Sequence, residues 1–223
     1  MLKYSKEEQR LNVDKKSMLL YAVTDRTWLG DKKLEDEVEK VLKAGATFIQ
    51  LREKNVSFDE FLQVAKKVKA VTDKYKVPFV INDNVEIAKE IDADGVHIGQ
   101  SDMEAKRARS ILGNGKIMGI SAGSVEEAVT AEKNGADYIG VGAVFHTNTK
   151  KDATDMPMDV LKDITKSVHI PVVAIGGISK ENIMKLKGTG VDGVAVISAI
   201  FAQKDAYTAA KELKALSEKM VKA

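Results

Sequence analysis

Several stretches of this chain place charged or hydroxyl side chains at spacings suited to a phosphorylated anion. In Gln50-Leu51-Arg52-Glu53-Lys54, the two-residue period of extended backbone puts Gln50, Arg52 and Lys54 on one side and Leu51 and Glu53 on the other, so two cations point together. Asn82-Asp83 and, after Gly99-Gln100-Ser101, Asp102 supply two carboxylates. That set suits Mg2+, which takes one or two carboxylates and completes its shell with water and substrate phosphate oxygens. Helix capping is the competing role: Ser101-Asp102-Met103-Glu104 has capping-box spacing, and Asp83 or Asn84 suits an N-cap. Thr147-Asn148-Thr149-Lys150-Lys151 offers hydroxyls followed by cations, which can clamp phosphate or pyrophosphate but is also ordinary solvated turn material. Gly176-Gly177 and Ile197-Ser198 give backbone amides room to approach an anion, although a glycine pair equally makes a tight turn.

These residues reinforce one another only if they converge, since metal and cations aimed at one anion act together and inward-facing Arg and Lys are costly without an anion. The elements needed to gather them are legible. Apolar runs rich in Val and Ile, at 18–24, 47–52, 79–82, 95–99, 116–121, 138–144, 172–176 and 193–198, alternate with amphipathic runs at 34–43, 58–75, 125–133, 159–167, 181–187 and 206–221. The strands read as nearly continuous apolar stretches, as parallel strands covered on both faces do. The segments AGATFIQL, DADGVHIG, NGADYIGVG and TGVDGVAVIS echo one another before even-numbered strands, where a Gly or Asn would end a helix in the left-handed conformation. The polar exceptions, Ser121 among them, gather at the C-terminal strand ends, which in a β/α barrel form one catalytic rim. An open doubly wound sheet would not bring all eight ends around one mouth. The expected fold is therefore α/β, a TIM (β/α)8 barrel in a single domain over 1–223, with 1–17 as an N-terminal extension and an extra helix near 5–15.

Composition removes other chemistries. Lys plus Arg number 35 against 33 Asp plus Glu, a formal charge of +2, so nucleic acid and membrane surfaces lose their usual electrostatic attraction. No cysteine is present, which excludes disulfides and thiolate nucleophiles. The most apolar run, near 191–202, is broken by Asp192, Gly193 and Ser198 and falls short of the ~20 residues of a spanning helix. The charged start, MLKYSKEEQRLNVDKK, lacks the apolar core of a secretory signal, so a cytoplasmic location is expected. Of the three histidines, His97 reads as a hydrogen-bonded interior group, His146 as a rim residue and His169 as structural or solvent-facing.

The ordered segments YAVTD, IQLREK, IND, ADGVHIGQSD, GISA, GADYIGVGAVFHTNTKKDA, PVVAIGGI and DGVAVISAI make the chain similar to the thiamine phosphate synthase family over nearly all its length after about residue 18. The resemblance implies a TIM barrel that joins hydroxymethylpyrimidine diphosphate to a thiazole phosphate, releasing pyrophosphate, with Mg2+ as cofactor. It implies that Gln50, Leu51, Arg52, Glu53, Lys54, Asn82, Ser121 and Lys150 bind the pyrimidine diphosphate, and that Asp83 and Asp102 hold Mg2+. Thr147, Asn148, Thr149, Gly177, Ile197 and Ser198 would bind the thiazole phosphate. Arg52, Lys54, Lys150 and Ser121 are the catalytic candidates. A homodimer is expected from the family alone. His146 and Asn148, and the acidic TDMPMD stretch, depart from the family pattern. A thiazole tautomerase-like barrel and a non-catalytic sensor of phosphorylated ligands are the rivals. Retention of Arg52, Lys54, Asp83, Asp102 and Lys150 argues against the tautomerase, which needs no pyrophosphate clamp.

Overall fold

The structure, a computed structural model, describes residues 13–99, 105–147 and 156–222. Eight parallel strands close into a barrel in chain order: β1 Leu20–Val23, β2 Phe48–Leu51, β3 Phe79–Asn82, β4 Gly95–Ile98, β5 Ile117–Ala122, β6 Tyr138–Val141, β7 Val172–Ile175 and β8 Gly193–Val196. Closure is the pairing of β1 with β8 as well as with β2. The helices are α1 Leu34–Lys43, α2 Phe58–Tyr75, α3 Val85–Glu90, α4 Ala105–Leu112, α5 Val125–Lys133, α6 Met158–Ser167, α7 Ser198–Phe201 and α8 Ala206–Val221. This is the expected TIM barrel. Among the described residues no helix is long and apolar enough to cross a membrane.

The strands bury both faces, which explains their unbroken apolar sequence. One face, with Leu20, Ile49, Leu51, Ile81, Val96 and Ile98, packs against the helices. The other fills the barrel with Tyr21, Phe48, Val80, Ile117, Tyr138 and Val173. Val13 and Met18 belong to this interior cluster, so part of the expected N-terminal extension plugs the barrel. A single 3-10 turn, Lys15–Met18, precedes β1, whereas residues 5–12 of the anticipated extra helix lie outside the described residues.

Two boundary expectations change. Several strands end before the polar residues read into them, as β2 stops at Leu51 and β8 at Val196, because those residues leave the ladder to form loops at the rim. The helix expected at 181–187 is only a 3-10 turn, Ile183–Leu186. Gly188 follows at φ 74°, a left-handed conformation that halts helical propagation.

The echoed segments before the even strands have a structural purpose. Gly45, Asp92, Gly135 and Gly190 all have positive φ, and two residues after each comes Thr47, Asp94, Asp137 or Asp192. These four side chains accept the backbone N–H of Leu20, Phe79, Met118 and Val172, at 2.9, 2.8, 2.8 and 2.9 Å. Their own N–H groups donate to the carbonyls of the same four residues. Each odd-numbered strand is thus clamped by two hydrogen bonds at its lower end. Arg109 backs one clamp, donating to Asp137 and to the carbonyls of Gly113, Lys116 and Gly135. Asp137→Ala should lower the unfolding free energy by about 2–4 kcal/mol, because a buried N–H and a guanidinium lose their carboxylate. Urea denaturation checks this, with Asp137→Asn expected to lose less since it keeps an acceptor.

Candidate active site

The C-terminal strand ends form the mouth, and its floor is polar. Gln50 turns inward and is buried, donating from Nε2 to the Tyr21 hydroxyl at 2.5 Å. Tyr21 Oη lies 2.7 Å from Tyr138 Oη, Tyr138 Oη lies 2.9 Å from His97 Nδ1, and His97 Nε2 lies 3.1 Å from Ser121 Oγ. Backbone register makes these contacts feasible: His97 pairs with Gly119, and Gly119 with Tyr138. A Cβ on Gly119 would fall 2.1 Å from Tyr138 Cζ, and one on Gly140 would fall 3.1 Å from His97 Cε1. The two glycines therefore vacate the space in which the rings meet. Burial drives both phenols well above the ordinary tyrosine range, so they remain protonated hydroxyls. His97 is the interior hydrogen-bonded group expected of it.

Around β2 the two-residue period holds. Leu51 is buried among the barrel-to-helix core, so only its backbone is available at the mouth. Arg52 has a resident partner, with Nη1 3.4 Å from Asp25 Oδ2, and its N–H donates to Thr24 Oγ1. Asp25 also caps the turn Arg26–Trp28. Glu53, on the opposite side, accepts from Arg26 Nε at 2.8 Å, and Arg26 continues to Glu60 at 2.9 Å. The Glu53 side chain is only 3% exposed, and its Oε1 has no hydrogen-bond partner among the described residues. Burial pushes its carboxyl up despite Arg26. Lys54 is exposed on the loop beyond β2.

At the end of β3 the capping alternative resolves. Asn84 is the N-cap of α3, accepting from Ile87 N–H at 2.8 Å. Asp83 has φ 61°, donates its N–H to the His97 carbonyl and accepts from Asn82 Nδ2 at 2.5 Å. Its carboxylate is therefore oriented without being the cap. A cavity of about 350 Å3 opens here, lined in part by Glu53, Phe61, Asn82 and Asp83. An oxygen donor set of this kind is hard-cation chemistry and fits Mg2+. No cluster of three or more His, Asp or Glu able to hold a metal occurs among the described residues. Asp102, Asn148, Thr149 and Lys150, all expected at the mouth, lie outside the described residues.

On the far side of the mouth, Gly176 and Gly177 have φ of 101° and 62°. A Cβ on Gly177 would lie 2.3 Å from the His146 carbonyl oxygen, and one on Gly176 would lie 2.5 Å from Ala143 Cβ. The close approach that requires glycine is thus to the loop after β6, which also carries Thr147. Phe145 N–H donates to the Gly176 carbonyl and Asn182 Nδ2 to that of Gly177, so the pair joins the loops after β6 and β7. Ile197 packs at the top of the interior cluster, and Ser198 begins the one-turn helix α7 with no side-chain cap. His169 is remote and exposed, 3.6 Å from Glu132.

Sequence reasoning missed Tyr21, Tyr138 and Arg26, and it places Asp25 among the polar residues of the rim without its pairing to Arg52. A usable signal existed for the tyrosines: each is a lone hydroxyl in an otherwise apolar strand, and Gly119 and Gly140 interrupt their neighbours.

A closed parallel barrel with cationic side chains, carboxylates and hydroxyls at its C-terminal mouth has the architecture of the β/α-barrel enzymes. Residues 20–200 match the family model described as thiamine monophosphate synthase. The thiamine-phosphate synthase of Clostridium beijerinckii is 53% identical over 195 residues, covering 87% of this chain and 93% of that protein. That of Methanobrevibacter smithii is 52% identical over 194 residues, covering 87% and 92%. A solved structure, thiamine phosphate pyrophosphorylase from Pyrococcus furiosus, superposes with a TM-score of 0.86 at 41% identity, covering 93% of this chain and 98% of that one. The chain belongs to the thiamine monophosphate synthase family, a family of transferases in thiamine biosynthesis.

Gly119→Ala should destabilise the fold by roughly 1–3 kcal/mol through displacement of the Tyr138 ring. Thermal unfolding measures it, and the same change in a Tyr138→Ala background should cost less, since the colliding group is gone.

Proposed function

We propose that this mouth joins hydroxymethylpyrimidine diphosphate to a thiazole phosphate, giving thiamine phosphate and pyrophosphate. The observation that supports it most is the convergence of Gln50, Arg52, Asn82, Asp83 and Ser121 on one mouth, in a chain about half identical to thiamine-phosphate synthases. The bond from the pyrimidine methylene to oxygen breaks with its electron pair leaving on pyrophosphate. The aminopyrimidine delocalises the resulting cation, and the thiazole nitrogen lone pair closes the new bond. The protein's task is to hold two anionic substrates in line and to stabilise the charge that develops on the leaving group.

In this reading Gln50, Leu51, Arg52, Glu53, Lys54, Asn82, Ser121 and Lys150 hold the pyrimidine diphosphate. The side chain of Glu53 acts through Arg26, while Leu51 offers only its backbone. Arg52, Lys54 and Lys150 balance the pyrophosphate charge, with Asp25 as the resident counter-charge of Arg52. Thr147, Asn148, Thr149, Gly177, Ile197 and Ser198 hold the thiazole phosphate. Asp83 and Asp102 would hold Mg2+, which when bound supplies positive charge to the diphosphate oxygens. The reading takes 1–223 as one cytoplasmic barrel domain, with small-molecule substrates, no nucleic-acid or membrane partner, and a homodimeric assembly.

Mixing both substrates with Mg2+ should release pyrophosphate, and its absence would leave the tautomerase-like or sensor reading. Lys150→Ala should slow single-turnover chemistry at least about tenfold, roughly 1.4 kcal/mol of barrier, with a smaller effect on thiazole phosphate binding. An unchanged single-turnover rate overturns that role. Asp83→Ala should shift the Mg2+ titration to higher concentration at fixed substrate, and an unaltered titration removes the ligand assignment.

A further inference from the structure

The hydrogen-bonded series Gln50, Tyr21, Tyr138, His97 and Ser121 links β2, β1, β6, β4 and β5 through the barrel interior. Its polarity follows from proton counting. An amide nitrogen only donates, and each hydroxyl has a single hydrogen. With Gln50 Nε2 donating to Tyr21, the buried Tyr21 hydrogen has only Tyr138 as an acceptor, and satisfying it sends the Tyr138 hydrogen on to His97 Nδ1. That nitrogen must then be bare, and a neutral imidazole places its hydrogen on Nε2, toward Ser121 Oγ. The opposite polarity needs Gln50 to turn its oxygen to Tyr21, and it ends with Ser121 donating into the ring.

We propose that the series runs one way, from Gln50 to Ser121, holding His97 as the Nε2–H tautomer. Tyr21, Tyr138 and His97 are then positioning residues. Because Ser121 Oγ accepts from His97, its own hydrogen is directed away from the ring, and in the reaction proposed above the diphosphate is an acceptor for it. Only this last link rests on that reading. Glycine at 119 and 140 is what the arrangement requires, since a side chain at either position would displace a ring that relays the polarity.

The test is 15N–1H correlation of the imidazoles in the full-length protein labelled at histidine, without substrate, with His97 assigned through His97→Gln. The expected pattern is protonated Nε2 and bare Nδ1. An Nδ1–H tautomer, a doubly protonated ring or an averaged signal overturns the proposal. Tyr138→Phe keeps the ring and removes the donor to Nδ1, so the His97 pattern should shift toward a mixture of tautomers; an unchanged pattern overturns the relay. Tyr21→Phe is the second variant should Tyr138→Phe not fold. In steady-state kinetics Tyr138→Phe should lower kcat roughly tenfold, the loss of one charge-assisted hydrogen bond, with KM little changed. That loss should vanish in a Ser121→Ala background, whereas equal losses in both backgrounds overturn the link to Ser121. If the wild-type chain releases no pyrophosphate, the proposed reaction fails while the tautomer measurement still decides the polarity.

Discussion

Each odd-numbered strand enters the barrel with an amide and a carbonyl near its lower end held by a single residue, Thr47, Asp94, Asp137 or Asp192, that immediately precedes the next strand. Everything at the mouth depends on this. A parallel strand offers no hairpin to set its register, and a slip of one residue would exchange its inward and outward faces. In β2 such a slip would turn Gln50 outward and bring Leu51 into the interior. Four carboxylate or hydroxyl clamps at the base therefore determine which side chains reach the rim. Each accepts a hydrogen bond from a strand-end amide, which offsets the cost of burying the Asp137 and Asp192 carboxylates.

The interior then solves a different problem. Strands of four residues, six in β5, leave little depth, and the barrel must be filled without a cavity while still presenting polar groups upward. Tyr21, Phe48 and Tyr138 fill it with rings at centroid separations of 4.6 to 5.8 Å. The tyrosine hydroxyls are satisfied by one another, by Gln50 and by His97, so the bulk that fills the barrel also carries a hydrogen-bonded path between opposite walls. A phenylalanine at either position would fill nearly the same space and interrupt the path, which separates the packing role from the polar one.

Much of this architecture was legible in the sequence. Alternating apolar and amphipathic runs gave the strand and helix order, and α1, α2, α5 and α8 begin and end where the pattern predicts. The echoed Gly/Asp segments were recognised as turns before strands, but not as clamps, because the amide each one binds lies 15 to 27 residues earlier in the chain. Continuous apolar strands conceal which residues point inward, so Tyr21 and Tyr138 looked like ordinary core. Arg52 and Glu53 were recognisable as an alternating pair, yet their partners Asp25 and Arg26 also lie 27 residues away. In the sequence, glycine at 176 and 177 suits an approaching anion or a tight turn, and the neighbouring chain after β6 adds a requirement for the residue type that spacing alone does not show.

The pairing of Arg52 with Asp25 refines the electrostatic picture of the mouth. An arginine aimed at an empty barrel mouth would pay a desolvation cost with nothing opposite. At 3.4 Å the Asp25 contact is long for a charge-assisted hydrogen bond, so it supplies a counter-charge without a tight bidentate lock. In the proposed reaction a diphosphate, carrying more charge than one carboxylate, would draw the guanidinium toward itself at small expense. Glu53 and Arg26 behave oppositely: their contact is short and the carboxylate is enclosed, so they brace the loop after β2. One strand end thus carries a held pair on its outer side and a yielding pair on its inner side, and that asymmetry directs the mobile positive charge to the face where an anionic substrate would sit.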